Sequence, residues 1–290
     1  MDRQLIINLE EITSERDLVY VGDRVRPSTA TSIVLLSPNI LACCHFNGCR
    51  IFLIEFDITK STYKLIYETE TLYNGKKTET DLMHTDLEGN IVVSNFYEKT
   101  CSIYKYDNKQ INFFKDLKTK IGDFVHGVKF YNTDTVAVTS RKSQGGVHFI
   151  DCIEDKVIFK LLANGLSVQD ICFLSPNILA MISSTGSPTM KKIPIYHSML
   201  HIIEFNMAKK TSKILQERFF ENSHFDNIVE YEDVLYFTDQ YNNKVISCYS
   251  KNIKLSHDIL GFNFPHGIDV KFDVMAVTNY GNNTIELRSV

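Results

Sequence analysis

The stretch F-P-H-G-I-D-V-K-F-D-V-M-A-V-T-N-Y-G-N-N-T-I-E-L-R, residues 264–288, reads as short strand, turn, short strand, Asn/Gly turn, short strand. Alternating apolar runs bounded by turn-forming residues are the signature of an antiparallel meander. The same phrase returns as F-V-H-G-V-K-F-Y-N-T-D-T-V-A-V-T-S at 124–140 and as F-D-N-I-V-E-Y-E-D-V-L-Y-F-T-D-Q-Y-N-N-K-V-I-S-C-Y at 225–249. Weaker copies begin at D-L-M-H-T-D (81), Q-D-I-C-F-L (169) and T-S-I-V-L-L (31). In register, Thr31, Asp81, His126, Gln169, Asp226 and His266 share one position, at spacings of 50, 45, 43, 57 and 40 residues. A period in this range identifies a repeat architecture before any single motif is weighed.

Each unit continues into a third and an outer fourth strand, as in I-F-L-I-E-F at 51 followed by Y-K-L-I-Y at 63. Four antiparallel strands per repeat make a propeller blade, whose two faces are both covered by neighbours. The runs V-A-V at 136, I-L-A-M-I at 178 and V-L-Y-F at 234 are apolar on both faces, as that burial requires. A β-sandwich has strands of similar length but does not keep one period. The sequence therefore predicts an all-β, six-bladed β-propeller in a single domain, residues 1–290. The last repeat stops after its third strand, while residues 4–9 form a strand-like segment with no hairpin partner. Closure of the last blade by this N-terminal strand removes an exposed sheet edge. Short helices are expected only at 13–17 and 207–210.

Composition narrows the functional classes. Apolar residues make up 44% of the 290 and charged residues 23%, the usage of a globular chain. With 31 Lys and Arg against 35 Asp and Glu, a net charge of −4 and no basic block, nucleic-acid binding is not expected. No long apolar run suggests a membrane span or a leader. The seven cysteines are odd in number and form no C-x-x-C pair, so a reducing, cytoplasmic setting is the expectation.

The phrases P-H-G-I-D-V (265), V-T-N-Y-G-N-N-T-I (277) and L-Y-F-T-D-Q-Y-N-N-K-V-I (235) resemble the NHL repeat of six-bladed propellers. The likeness is plainest in the last two blades and faint in the first and fourth. The absence of tryptophan excludes the tryptophan–aspartate repeat. The resemblance implies either a binding scaffold or a metal-dependent enzyme, such as a lactonase, a phosphotriesterase or the peptidyl-amidoglycolate lyase. In that lyase, His residues from alternate blades hold zinc in the channel. The matching positions here are His126 and His266, two rather than three, each followed by Gly in place of the lyase's Asp. The acids of the calcium-dependent lactonase pattern are matched only by Asp81 and Asp226.

The shared position opens the innermost strand, so its six side chains should ring the axis at one end. Asp81, His126, Asp226 and His266 supply two carboxylates and two imidazoles, a set suited to zinc, manganese or calcium. The competing expectation is a polar ring that solvates a water-filled channel. His84 is expected to make a hydrogen bond between blades. Loops joining second to third strands form the rim on the same end, with Arg50, Tyr97, Arg141, Tyr241 and Tyr280 as candidate ligand-binding residues. An insertion at 185–199, carrying Tyr196 and His197, is expected to project over the mouth as a lid or partner contact. The sequence thus points first to a binding or scaffold propeller recognising a protein, peptide or saccharide on this face. A metal-dependent hydrolase, lactonase- or esterase-like, or a lyase is the alternative.

Overall fold

A computed structural model describes residues 3–12, 18–21, 24–27, 29–121, 124–141, 145–163, 167–185 and 197–290. Among these, the strands form six four-stranded antiparallel sheets and two short hairpins, Leu18–Val21 with Arg24–Pro27 and Leu72–Tyr73 with Lys76–Lys77. The sheets are the six blades. Their inner strands are Ala30–Ser37, Thr80–Thr85, Val125–Asn132, Ser167–Ser175, Phe225–Tyr231 and Pro265–Lys271. Each inner strand touches the inner strands of the blades before and after it, and the sixth returns to the first, so the ring is closed.

The sequence expectation of closure holds. Gln4–Asn8 pairs antiparallel with Thr284–Ser289 in the register Gln4↔Arg288 to Asn8↔Thr284 and becomes the outer strand of the sixth blade. Alternation decides which side it buries: Leu5 and Ile7 enter the core and Ile6 is 53% exposed. A short helix, Leu9–Ile12, follows, capped where Asn8 Oδ1 accepts the Glu10 N–H at 3.1 Å. The helix expected at 13–17 lies outside the described residues. Residues 207–210 are a turn, correcting the expected helix: Asn206 Oδ1 accepts the Lys209 N–H at 2.9 Å and Lys210 has φ 53°.

Six buried apolar clusters hold the blades together, one at each interface. Ile7, Ile33, Phe52, Ala276 and Leu287 join the sixth blade to the first, and Phe149, Phe159, Ile171 and Phe205 join the third to the fourth. The other four interfaces carry equivalent clusters.

Nearer the axis the blades are tied by polar contacts from one inner strand to the next. Ser32 Oγ accepts the Met83 N–H at 2.9 Å, and His84 Nδ1 accepts the Phe130 N–H at 3.2 Å, the interblade role expected of His84. Lys129 Nζ lies 3.1 Å from Asp170 Oδ2, which accepts the Ile228 N–H at 3.1 Å. Asn227 Oδ1 accepts the Ile268 N–H at 2.7 Å, and Asp269 Oδ2 accepts the Leu35 N–H at 2.7 Å, completing the circuit.

Ile7→Ala should cost about 2–5 kcal/mol by opening the closing seam. For a chain of this size that is a fall in melting temperature of roughly 5–15 °C. Ile6→Ala, on the same strand but facing solvent, should shift it by no more than about 0.5 kcal/mol. Equal shifts in thermal denaturation of the two variants would contradict the closure.

Candidate functional site

Every inner strand carries a register shift at its start, between Ala30 and Ser32, Thr80 and Met83, Val125 and Val128, Val168 and Asp170, Phe225 and Ile228, and Pro265 and Ile268. The residues inside these bulges include Thr31, Asp81, His126, Gln169, Asp226 and His266. A bulge re-aims a side chain that regular pleating would send into the sheet interface. In four blades a hydroxyl from the second strand closes the bulge. Ser94 Oγ accepts the Leu82 N–H at 2.8 Å, Thr139 Oγ1 that of Gly127 at 2.7 Å, Thr238 Oγ1 that of Asn227 at 3.1 Å, and Thr278 Oγ1 that of Gly267 at 2.7 Å.

The two His-Gly pairs have a packing cause. A Cβ at Gly127 would collide with the Asp170 carboxylate and lie 2.8 Å from the Gln169 carbonyl oxygen. At Gly267 it would lie 2.6 Å from the Thr31 carbonyl oxygen and 2.7 Å from Ser32 Cα. No side chain, the lyase's Asp included, fits after either histidine.

The ring is buried and its members converge. His126 Nε2 lies 3.3 Å from Asp81 Oδ2 and 3.4 Å from Asp226 Oδ1, and His266 Nε2 lies 3.5 Å from Asp81 Oδ1. The two imidazole centroids, contributed by opposite blades, are 5.8 Å apart. Both rings are oriented in the same way. His126 Nδ1 is 2.8 Å from the Gln169 carbonyl oxygen, and His266 Nδ1 is 2.8 Å from that of Thr31. A carbonyl can only accept, so each Nδ1 carries the hydrogen and each Nε2 is left facing the carboxylates. His126 Nε2 makes no hydrogen bond within the described residues, while Asp226 Oδ2 faces His266 Nδ1 at 2.8 Å.

Charge is balanced inside this ring. Burial alone would raise the Asp226 carboxyl, but the positive charges of His266 and then His126 outweigh it and hold it well below the usual carboxylate range. Burial alone would lower His266, but Asp226, whose Oδ2 is 2.8 Å from Nδ1, and then Asp81 hold it above the ordinary imidazole value. His224, buried beside the ring, goes the other way: burial pushes it down to about 3, so it stays neutral. Arg141 reaches in from the rim, its Nε donating to Gln169 Oε1 at 2.8 Å and its Nη2 to Asp226 Oδ1 at 3.5 Å.

The rim divides the candidate ligand-binding residues. Tyr280 stacks on His266 with centroids 5.8 Å apart, so it and Arg141 belong to the mouth itself. Tyr97 is 54% exposed in an aromatic cluster with Phe46, Phe96 and Phe124, where Phe96 and Phe124 stack at 5.1 Å. The Arg141 guanidinium lies 6.0 Å from the Phe96 centroid, which joins this cluster to the ring. Tyr241 is exposed on the fifth blade's loop. Arg50 and His197 each engage the outer strand of their own blade. Arg50 pairs with Glu68 at 3.5 Å, and the His197 ring lies 5.0 Å from that of Phe219. Tyr196, with 186–196 as a whole, lies outside the described residues. Phe46, Phe96, Phe124 and His224 were not singled out from sequence. The position next to the last strand residue, occupied by Phe46, Phe96, Arg141, Gln240 and Tyr280, was the available signal.

Fold and ring together define this chain as a six-bladed β-propeller with a polar, partly ionised ring on its axis. No family model matches the chain, and no curated protein does. Among solved structures it is similar to hydrazine synthase of Kuenenia stuttgartiensis, with a TM-score of 0.63 and 12% identity, covering 94% of this chain and 99% of that one. It is also similar to the WD40 propeller domain of Doa1, with a TM-score of 0.59 and 13% identity, over 90% and 93% of the two chains. The propeller domain of Cps50 (Swd1) from Myceliophteria thermophila gives 0.57 and 11%, over 92% and 85%. At such identities the likeness is one of fold. Among the described residues no helix is long and apolar enough to cross a membrane.

Asp226→Asn should let His266 fall back toward or below the ordinary imidazole value in an NMR titration. The stability linked to a charged His266 is full below about pH 6.5, its unfolded value, and is lost as pH rises through its raised folded value. The stability gap between wild type and Asp226→Asn should therefore narrow on the alkaline side of that value. An unchanged His266 titration in the variant would contradict the charge coupling.

Proposed function

We propose that this chain is a binding propeller that receives a partner or ligand on the face around the axial ring. The observation that supports this most directly is the rim cluster of Phe46, Phe96, Tyr97 and Phe124, contiguous with Arg141 and hence with the buried charges below it. Exposed aromatics next to an arginine are the residue types that dominate binding energy at recognition surfaces. The NHL-like wording of the repeats and the propeller neighbours fit the same reading. A protein or peptide segment carrying an acidic group beside apolar side chains complements this rim, with Arg141 and Lys99 as its cationic contacts; Lys99 Nζ lies 6.0 Å from the Phe124 centroid.

Peptide and glycan arrays probed with the purified protein test this reading. Wild type should select peptides with acidic and aromatic residues, and Tyr97→Ser with Phe124→Ser should weaken the selected binding about tenfold or more. Phe113→Ser, at an exposed site on an outer strand, should leave it unchanged. No selection, or equal binding by the rim variant, would refute the assignment.

A second reading is favoured by the orientation of the ring: Asp81, His126 and His266, the members whose ligand atoms lie close enough together, would hold one divalent cation with Asp226 beside them. A tetrahedral ion bound at about 2.0–2.1 Å separates its ligand atoms by about 3.3 Å, close to the separations of 3.3 and 3.5 Å between Asp81 and the two Nε2 atoms. Carbonyls on Nδ1 that leave Nε2 bare are the usual support of metal-bound histidine. His126 Nε2, buried without a hydrogen bond among the described residues, is an atom that a cation would engage. When bound, such an ion polarises a carbonyl or activates water, the chemistry of a hydrolase or lyase. The residues of this chain would fix its ligands, and Arg141 would orient an anionic group at the mouth.

Zinc, manganese and calcium titrations separate the two readings. One equivalent bound with proton release, and lost in His126→Ala with the fold intact by circular dichroism, supports the metal. Absence of saturable binding of all three ions overturns it.

A further inference from the structure

The opposite end of the axis carries a second recess. The far ends of the inner strands of the first, second, third and sixth blades, with the turns that follow them, enclose about 880 Å³. Small-molecule pockets occupy roughly 300–1,000 Å³. Its walls include Leu36, Tyr106, Phe130 and Tyr131, and at its lip stand the fully exposed Leu87 and the 44% exposed Phe272. None of these residues belongs to the ring or rim described above.

Chemistry inside the recess is polarised. His84 lines it and accepts the Phe130 N–H through Nδ1, so the ring hydrogen sits on Nε2 and is what His84 offers to the cavity. Lys271 lines the same space, its Nζ 3.0 Å from Asp269 Oδ2, and Lys129 stands behind, paired with Asp170. Burial, and after it the positive charges of Lys129 and Lys271, hold His84 well below its ordinary value. Two acids also line the recess. Asp86 spends its carboxylate on its own turn, accepting from Glu88 N, Asn90 N and Asn90 Nδ2. Glu88 is exposed at the tip of that turn. The inner part of the recess therefore offers the His84 N–H and one lysine that already pairs with Asp269, the walls are aromatic and aliphatic, and the acids Asp86 and Glu88 stand at the lip.

We propose that this recess is a binding site for a small amphipathic anion, an aromatic or aliphatic carboxylate or sulfonate. The apolar body lies against Leu36, Tyr106, Phe130 and Tyr131. The anionic head accepts the His84 Nε2 hydrogen and faces Lys271. Apolar walls supply affinity, and the few convergent polar groups fix orientation.

Anilinonaphthalene sulfonate, an aromatic fluorophore with an anionic head, and phenylnaphthylamine, the same body without the charge, are the probes. Wild type should bind one sulfonate per chain with a saturable rise in fluorescence. Lys271→Gln, which keeps a donor for Asp269 and deletes the charge, should weaken the sulfonate about tenfold and leave the uncharged probe unchanged. Leu36→Trp and Thr133→Trp, which narrow the recess from separate blades, should each abolish binding of both probes. Two independent fillers keep the test valid if one of them fails to fold. The rim variant carrying Tyr97→Ser and Phe124→Ser should bind both probes as wild type does. Overturning results are an absence of one-to-one binding, binding unaffected by the folded filler variants, or equal loss of both probes in Lys271→Gln.

Discussion

Six strands can surround one axis only if each inner strand lies close enough to the next for a side chain to reach the neighbouring strand. That circuit runs from Ser32 to Met83, His84 to Phe130, Lys129 to Asp170, Asp170 to Ile228, Asn227 to Ile268 and Asp269 to Leu35. Bonds of this kind satisfy backbone groups that water cannot reach, and leaving one such buried group unmet costs about 1–3 kcal/mol. The same closeness excludes a Cβ at Gly127 and Gly267. Closure by Gln4–Asn8 completes the apolar seam that keeps the first and last blades in place, so the circuit has no open end.

The ring of charge follows from that geometry. Bulges turn two acids and two imidazoles into one buried volume where Asp81 and Asp226 demand positive charge. Within the protein that charge comes from His266 and from Arg141 at the rim. His224 remains neutral beside them because burial outweighs its attraction to Asp226. Protons and a divalent cation would compete for the same Nε2 atoms, which makes the ring chemically distinct from the aromatic rim above it. The three levels along the axis, rim, ring and far recess, have different chemistry although one repeated unit builds them all.

Much of this was legible in the sequence because a repeat preserves position. The shared place of His126 and His266, the role of His84 and the closing strand each followed from period and register alone. Arg50 and His197 begin third strands, and each contacts the outer strand of its own blade, a pairing that the period does not encode. The aromatic rim escaped notice because Phe46, Phe96 and Phe124 come from loops of three different blades and meet only when those blades stand side by side. The turn at 207–210 was mistaken for helix because Asn206 closes it through a side-chain bond that helix propensity does not register.

By itself, the sequence determined the fold class, the blade count, the closing strand and the set of residues facing the axis, since strand alternation and a repeated turn chemistry are written locally and recur at a fixed spacing. Tertiary structure decided which of those residues interact, which nitrogen of each histidine carries its hydrogen, how charge is shared among Asp81, Asp226, His266 and Arg141, and where a recess opens at the far mouth. These depend on distances of about 3 Å between groups separated by dozens to hundreds of residues, and hydrogen bonds and charge coupling are set by such distances rather than by position along the chain.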